Sequence, residues 1–249
     1  AKVISLILSD VIGNPLEAIA SGPTVPDPTT SDDALAILKK YKIEERVPGS
    51  IIQFLESGSL LPHFQKRASG FQVQNIIIGD NRLAAEAAME QAQREGFYSE
   101  ILTNELQGEA REVGYSLASH LRVSVERINR PFCLISGGET TVTIKGNGKG
   151  GRNQELALAT VNELRGLENV MLISLATDGD DGLTDAAGAV ATGESAQRAE
   201  EAGADVADHL SRNDAYVFFE ALGDLIRTGP SGTNVNDLVF LIATDSKTT

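Results

Sequence analysis

The sequence predicts an α/β protein built as two domains. Three observations carry this. Short apolar runs of strand length alternate with helical stretches, most clearly from Gln74 to Leu102, where strand, turn, helix and strand follow in order. The helical pattern of Gly108–Ile128 is broken by Asn129-Arg-Pro131, which sets the expected boundary: 1–130 the remainder of an N-terminal, Rossmann-like α/β domain, 131–249 a C-terminal α/β domain. And 249 residues suffice for two small domains.

Val3–Leu8 reads as a buried strand ending at Ser9-Asp10, and a carboxylate at a strand's end is where open α/β sheets place ligand chemistry. Ile19–Thr30, with three prolines and a glycine, reads as an ordered loop. Ser31 to Tyr41 follows as a helix, with Ser31 as cap, acids in its first turn and lysines in its last. Pro48–Leu55 is a short helix and Leu60–Gly70 a loop. Asn75–Ile78 is a strand, Gly79-Asp-Asn81 a turn, Arg82 onward an alanine-rich helix stopped by Gly96, and Tyr98–Leu102 a strand. That βαβ pattern implies a parallel pair. The turn lacks the spacing of a dinucleotide fingerprint, so no nicotinamide site is read there.

Beyond the break, Phe132–Ser136 and Thr141–Ile144 are expected strands, Asn153–Leu164 a helix with Asn153 as cap, and Val170–Ala176 a strand. Glu194–Leu210 reads as one or two solvated helical segments. An amphipathic helix begins at Asp214, capped by Asn213 or Ser211, and Leu238–Ala243 is the last strand.

The formal charge of −14 argues against nucleic acid or an anionic membrane as a general partner. An anionic substrate would need a local basic site. The lone Cys133 lies in an apolar strand and reads as a small core residue; His63, His120 and His209 have no metal-ligand spacing. No apolar run approaches the length of a membrane span. The sequence lacks an initiator methionine, and its opening apolar run meets Asp10 too soon for a signal peptide. The expectation is part of a longer, cytoplasmic protein, cut just before a core element.

The basic site is found in Ser136–Glu155. Six glycines fall between Gly137 and Gly151, among them Glu139, Lys145 and Lys149, and Arg152 follows directly before the predicted helix. Unpaired N–H groups at a helix start, a positive dipole and glycine's close approach together make an anion site. Val170–Ala176 then runs into Thr177–Asp185, with four carboxylates in eight positions. The spacing does not match an EF-hand, but one or two monodentate carboxylates suit Mg²⁺, which also takes phosphate and water. Gly229–Asp237 is a second glycine-rich polar loop.

These motifs resemble the MOFRL-type glycerate kinases. The residues that carry the resemblance are Ser136–Val142, Gly148–Glu155, Thr177–Gly188 and Gly232–Asp237, with Leu8–Val11, Ala20–Thr24 and Ile78–Asn81 upstream. The resemblance implies two α/β domains with largely parallel or mixed sheets and an active-site cleft between them. It implies transfer of the ATP γ-phosphoryl group to the 2-hydroxyl of D-glycerate, with Mg²⁺. Asp10, Glu139, Arg152 and Asp178 are the expected catalytic residues. Gly137, Gly138, Lys149, Gly150, Gly151, Asn234 and Asn236 are expected at substrate or nucleotide, and Asp178 and Asp181 at the metal. The expected partners are glycerate and ATP, with a homodimer as candidate assembly. Either Asp178 or Asp10 could hold Mg²⁺ or accept the hydroxyl proton. The family's glycine-lysine-alanine motif is missing from the sequence, so the chain is expected to be a truncated, inactive form. The alternatives are a hydroxypyruvate reductase-type oxidoreductase and a non-catalytic fragment that binds a sugar acid or nucleotide.

Overall fold

The computed structural model describes residues 2–58 and 72–245. It separates into two compact units, residues 1–7 with 14–78, and residues 8–13 with 79–249. His63 and the loop expected over Leu60–Gly70 lie outside the described residues.

In the first unit, strands β1 (Lys2–Leu8) and β2 (Gln72–Gly79) form a two-stranded sheet, and helices α1 (Ser31–Tyr41) and α2 (Gly49–Glu56) lie between them in sequence. The cap of α1 is Thr30 rather than Ser31. Thr30 is extended, and its hydroxyl accepts from the Asp33 N–H while the Asp33 carboxylate accepts from the Thr30 N–H, closing a reciprocal pair. β1 is not the buried strand expected. Within the described residues it pairs only with β2, and Ile4 and Leu6 are each 64% exposed.

The second unit holds a six-stranded sheet. Its strands are β3 (Tyr98–Leu106), β4 (Phe132–Gly138), β5 (Val170–Ala176), β6 (Gly188–Thr192), β7 (Leu225–Ile226) and β8 (Asp237–Ala243), in the order β3-β4-β8-β5-β6-β7. Only β3 and β4 run parallel; β8 is antiparallel to both β4 and β5. The parallel pair is thus β3–β4, joined through helix α4 (Ala110–Arg127), and not the expected pairing of β2 with β3, which stand in separate sheets. The break at Asn129–Pro131 falls inside this unit: the Tyr98 N–H donates to Pro131 O at 3.0 Å, and β3 pairs with β4 directly beyond it.

Alternation along the strands sorts the core into two layers. Phe132 and Leu134 of β4, with Val239 and Leu241 of β8, face the larger cluster under α4 and helix α5 (Arg152–Leu164). Cys133, Ile135, Leu238 and Phe240 face helix α3 (Asn81–Arg94), packing against Ala85 and Met89. Cys133 is therefore a small core residue, its thiol pushed up to about 11 by burial.

Thr141–Ile144 is not a strand. Thr141 makes one isolated bridge to Glu109, and the Thr143 N–H donates to the Glu109 carboxylate instead of a ladder. β6 and β7 carry no sequence signal strong enough to find: one is five small residues, the other two residues long. Helices α6 (Ser195–Glu201) and α7 (Val206–Arg212) bury Ala196, Ala199, Val206 and Leu210 against the core, so only their outer faces are solvated. Helix α8 (Ala215–Leu222) begins after Asp214, and its phenylalanines are core. No helix among the described residues is long and apolar enough to cross a membrane.

Asn81, the first residue of α3, reaches across the sheet edge. Its amide donates to the carbonyls of Val235 and Asp237, each at 2.9 Å. Gly137 is required there, since a Cβ would stand 1.8 Å from Asn81 Oδ1. Gly137→Ala is expected to lower unfolding free energy by about 1–3 kcal/mol per carbonyl left unpaired. Adding Asn81→Ala should recover part of that loss. Urea titration of both single variants and the double variant checks this, and strict additivity would show that the two residues do not meet.

Candidate functional site

The ends of β4 and β5 and the start of β8 meet at one edge of the six-stranded sheet, because β8 runs opposite to both. Gly138 and Ala176 are each in register with Asp237. An open cleft of about 850 Å³ lies at this edge. Its polar lining includes Glu139, Arg152, Asp178, Asp180, Asp181 and Asn234, and its apolar lining Ile12, Val142 and Ile144; Gly150 and Gly151 complete a wall.

Arg152 is the first residue of α5, and its guanidinium makes two hydrogen bonds and a further ion pair. Nε and Nη2 grip Asp237 at 2.6 and 3.0 Å, and Nη1 meets Glu139 Oε1 at 2.8 Å. The two carboxylates differ in setting: the Asp237 side chain is 6% exposed and that of Glu139 41%. Burial alone would weaken the guanidinium's charge, but the bonds to Asp237 and the nearby Glu139 outweigh it and raise its pKa. Glu139 is steadied by Asn236, whose amide donates to Oε2 at 3.0 Å. Asn236 holds a left-handed backbone, φ 66°, which asparagine tolerates better than most side chains.

The expected anion at the start of α5 is supplied by the protein itself. Asp181 Oδ1 accepts from the Asn153 N–H at 3.1 Å and Oδ2 from the Gln154 N–H at 2.9 Å. Asn153 is therefore no cap; the helix begins one residue earlier, after Gly151. Burial pushes the Asp181 carboxyl up to about 6, against the pull of the Gln154 and Asn153 N–H groups. Asp181, expected at the metal, has both oxygens committed to α5. The other acids of the turn divide. Asp178 and Asp180 border the cleft, with Asp178 Oδ1 accepting from the Asp180 N–H. Asp185 accepts from the Tyr216 hydroxyl at 2.7 Å and pairs with Arg227.

The glycine loop is fastened more than it is free. Asn213, itself left-handed at φ 54°, accepts the N–H groups of Lys145 and Gly146 and donates to buried Glu155, which pairs with Arg111. The Gly148 N–H donates to Arg212 O and that of Lys149 to Asp214 Oδ1. The Lys149 ammonium lies over the Tyr216 ring, 3.7 Å from its centroid, and Lys149 does not line the cleft.

Of the residues expected at the site, Glu139, Arg152, Asp178, Asp181, Asn234, Gly150 and Gly151 line this cleft. Asn236 supports it through Glu139, and Gly137 and Gly138 shape the end of β4 against Asn81 and Leu106. Asp10 is exposed beyond β1 and does not line the cleft. Sequence reasoning missed Asp237, Asn213, Glu155 and Arg111. Asp237 closes the last polar motif, and a carboxylate at the start of a buried strand was the one signal that could have found it.

Among the described residues no three metal-ligating side chains converge. Asp178 and Asp180 nevertheless fit the donor chemistry of a Mg²⁺ that keeps its waters and takes phosphate oxygens.

Residues 132–237 match the MOFRL family, and residues 1–56 a domain of unknown function, DUF4147. In Thermotoga maritima, a D-glycerate 2-kinase is 44% identical over 96% of this chain and 56% of its own length. A solved glycerate kinase structure from that organism superposes with a TM-score of 0.86 at 42% identity, over 98% of this chain and 57% of the other. A glycerate kinase of Macaca fascicularis is 38% identical over 97% of this chain and 72% of its own length. The chain belongs to the glycerate kinase family. A putative hydroxypyruvate reductase of Agrobacterium vitis, 40% identical over 96% of this chain and 54% of its own length, is a differently named relative. The chain spans little more than half the length of the Thermotoga relatives.

In this member of the glycerate kinase family, the two carboxylates on Arg152 should be separable by stability. Asp237→Asn is expected to cost about 1–3 kcal/mol, since it removes a charge-assisted bond at a buried acceptor. Glu139→Gln should cost less than about 1 kcal/mol, as for other exposed pairs. Urea unfolding of the two variants decides; equal losses would mean that Asp237 is not the anchor.

Proposed function

We propose that this chain carries the catalytic cleft of an ATP-dependent D-glycerate 2-kinase. The enzyme moves the γ-phosphoryl group of ATP to the 2-hydroxyl of D-glycerate, giving 2-phosphoglycerate and ADP. The observation that carries the reading is Arg152, anchored by Asp237 at the sheet edge through Nε and Nη2, with N–H donors left beyond that pair and 30% of its side chain exposed. Phosphoryl transfer asks for positioning and charge neutralisation more than covalent chemistry. A guanidinium with its back fixed and its front open suits a carboxylate or phosphate in two-pronged fashion.

In this reading, the free donors of Arg152 take an anionic group of the substrates, and Asn234 and the glycine wall orient the rest. Glu139 holds Arg152 from the solvent side. Asp178, partly exposed at the end of β5, accepts the proton that leaves the 2-hydroxyl as the new O–P bond forms and ADP departs. Asp10, outside the cleft lining, is the weaker candidate for that proton. Mg²⁺, held by Asp178 or Asp180 with the nucleotide's phosphates, would neutralise charge on the transferring group. The Asp181 carboxylate and the Lys149 ammonium serve the scaffold. Glycerate and ATP are the small-molecule partners and the cytoplasm the compartment, with a homodimer as candidate assembly.

A reductase of hydroxypyruvate would require a nicotinamide. The turn Gly79-Asp-Asn81 lacks the dinucleotide spacing, and Asn81 is spent on the carbonyls of Val235 and Asp237.

The test uses the full reading frame that contains this chain. A coupled ADP-release assay with D-glycerate and Mg-ATP should show turnover, and phosphorus NMR should place the product phosphate on C2. ADP release no faster than the glycerate-free background would overturn the reading. Arg152→Lys keeps the charge but loses the fork, and is expected to lower kcat/KM by at least about a hundredfold, the loss typical of one preorganised donor. Kinetics equal to wild type would remove Arg152 from the site.

A further inference from the structure

We propose that Asp181 is a positioning residue for the transfer reaction: its carboxylate fills the anion position at the start of α5 and so fixes where Arg152 presents its guanidinium. The inference deepens the kinase reading and rests on it for the reaction, though the clasp itself has a separate readout.

Three observations carry it. The side chain is nearly fully buried, 2% exposed, and the hydrogen bonds its carboxylate accepts come from one helix terminus: the Asn153 N–H and Nδ2 at 3.1 and 3.3 Å and the Gln154 N–H at 2.9 Å. Its backbone is held as well. The Asp181 N–H donates to Ala186 O at 2.8 Å, and Asp181 O accepts from Thr184 Oγ1 at 2.9 Å. Gln154 Nε2 donates to Thr184 Oγ1 at 2.9 Å, which ties this turn to the helix. Finally, the backbone on the helix side is built around it. A Cβ on Gly151 would stand 2.3 Å from Asp181 Cγ, and a Cβ on Gly182 2.6 Å from Gly150 O, with Gly182 at φ 66°.

The residue so gripped is the one next to Arg152. The carboxylate takes the N–H groups of the two residues that follow Arg152, whose Nε and Nη2 must meet Asp237 at 2.6 and 3.0 Å. A two-pronged bond tolerates little displacement, and a misplacement of about 1 Å at a reacting site costs on the order of a hundredfold. Asp181 also keeps a phosphate off the helix terminus, which would otherwise be an anion site in its own right. Phosphate is thereby left to the guanidinium face.

The test is Asp181→Ala with formate. Alanine retains Cβ and leaves room where the carboxylate stood, and formate supplies two acceptor oxygens. In the full reading frame, kcat is expected to fall about 10–100-fold with KM for D-glycerate and Mg-ATP changed far less, and millimolar formate to restore part of kcat. Formate should not restore Asp237→Ala, where the N–H groups of α5 remain capped. Hydrogen exchange reads the clasp without any turnover. The Asn153 and Gln154 amides should exchange faster in Asp181→Ala and slow again with formate. Unchanged exchange overturns the clasp, and faster exchange with kcat within twofold of wild type overturns the positioning role. If wild type shows no turnover with D-glycerate, the kinase reading fails while the formate-dependent exchange still decides the clasp. Should Asp181→Ala not fold, Asp181→Asn serves: it turns an amide toward backbone donors, and should show faster exchange and reduced kcat without formate rescue.

Discussion

The bidentate pair between Arg152 and Asp237 is the constraint around which this end of the molecule is arranged. Asp237 is buried at the start of a central strand, and a buried carboxylate must be paired and hydrogen-bonded. Its partner comes from the first residue of α5, so the position and angle of that helix are set by a side-chain bond at the sheet edge. Asp181 lies close enough to Asp237 that the two negative charges disfavour each other. The arrangement is tenable because Arg152 and the N–H groups of α5 divide the two carboxylates between them. Glycine at 137, 151 and 182 follows from the same geometry, since a side chain at any of these would collide with Asn81, Asp181 or the Gly150 carbonyl.

The sheet topology explains why the residues meet. A parallel sheet collects its ligand chemistry at strand ends. Here β4 and β5 supply their ends, and β8, lying between them in the opposite sense, supplies its start. Asp237 is thereby flanked in register by Gly138 and Ala176, and the segments leaving those strands carry Glu139 on one side and Asp178 on the other. Asn81 closes the edge from α3. One antiparallel strand thus brings into contact residues that are 85 and 97 positions apart in sequence, as Arg152–Asp237 and Glu139–Asn236.

Much of this was legible in the sequence. The strands at Phe132, Val170 and Leu238 announced themselves as apolar runs, and the glycine loop, the acidic turn and the last polar loop marked the segments that line or support the cleft. What the sequence could not show was the division of labour among like residues. Four aspartates in one turn look alike. The structure turns Asp181 inward, leaves Asp178 and Asp180 at the cleft and sends Asp185 to Tyr216, because Asp181 and Asp185 find partners 27 and 31 residues away. A glycine-rich loop with lysines likewise suggests a phosphate cradle, yet the N–H groups of Lys145, Gly146 and Lys149 are taken by Asn213 and Asp214. β1 has the composition of a core strand, but composition does not say how many strands stand beside it.

The charge balance of the cleft bears on what can enter it. Its lining carries Glu139, Glu155, Asp178, Asp180 and Asp181, and its one arginine is already compensated by Asp237 and Glu139; Arg111 compensates Glu155 from behind. A bare nucleotide triphosphate would meet a field of its own sign, and within a partly enclosed site such repulsion is screened less than in water. If the cleft takes a nucleotide, as proposed, this charge balance would favour one largely neutralised before it arrives, in a complex with a divalent cation. Asp178 and Asp180 are the lining carboxylates not engaged by a cation or by the start of α5, so in that reading they would be the groups to receive the cation. Under the proposed kinase reading, the same acidity would disfavour a free nucleotide relative to its metal complex, and Arg152 would be left to bind the negative charge the metal does not cover.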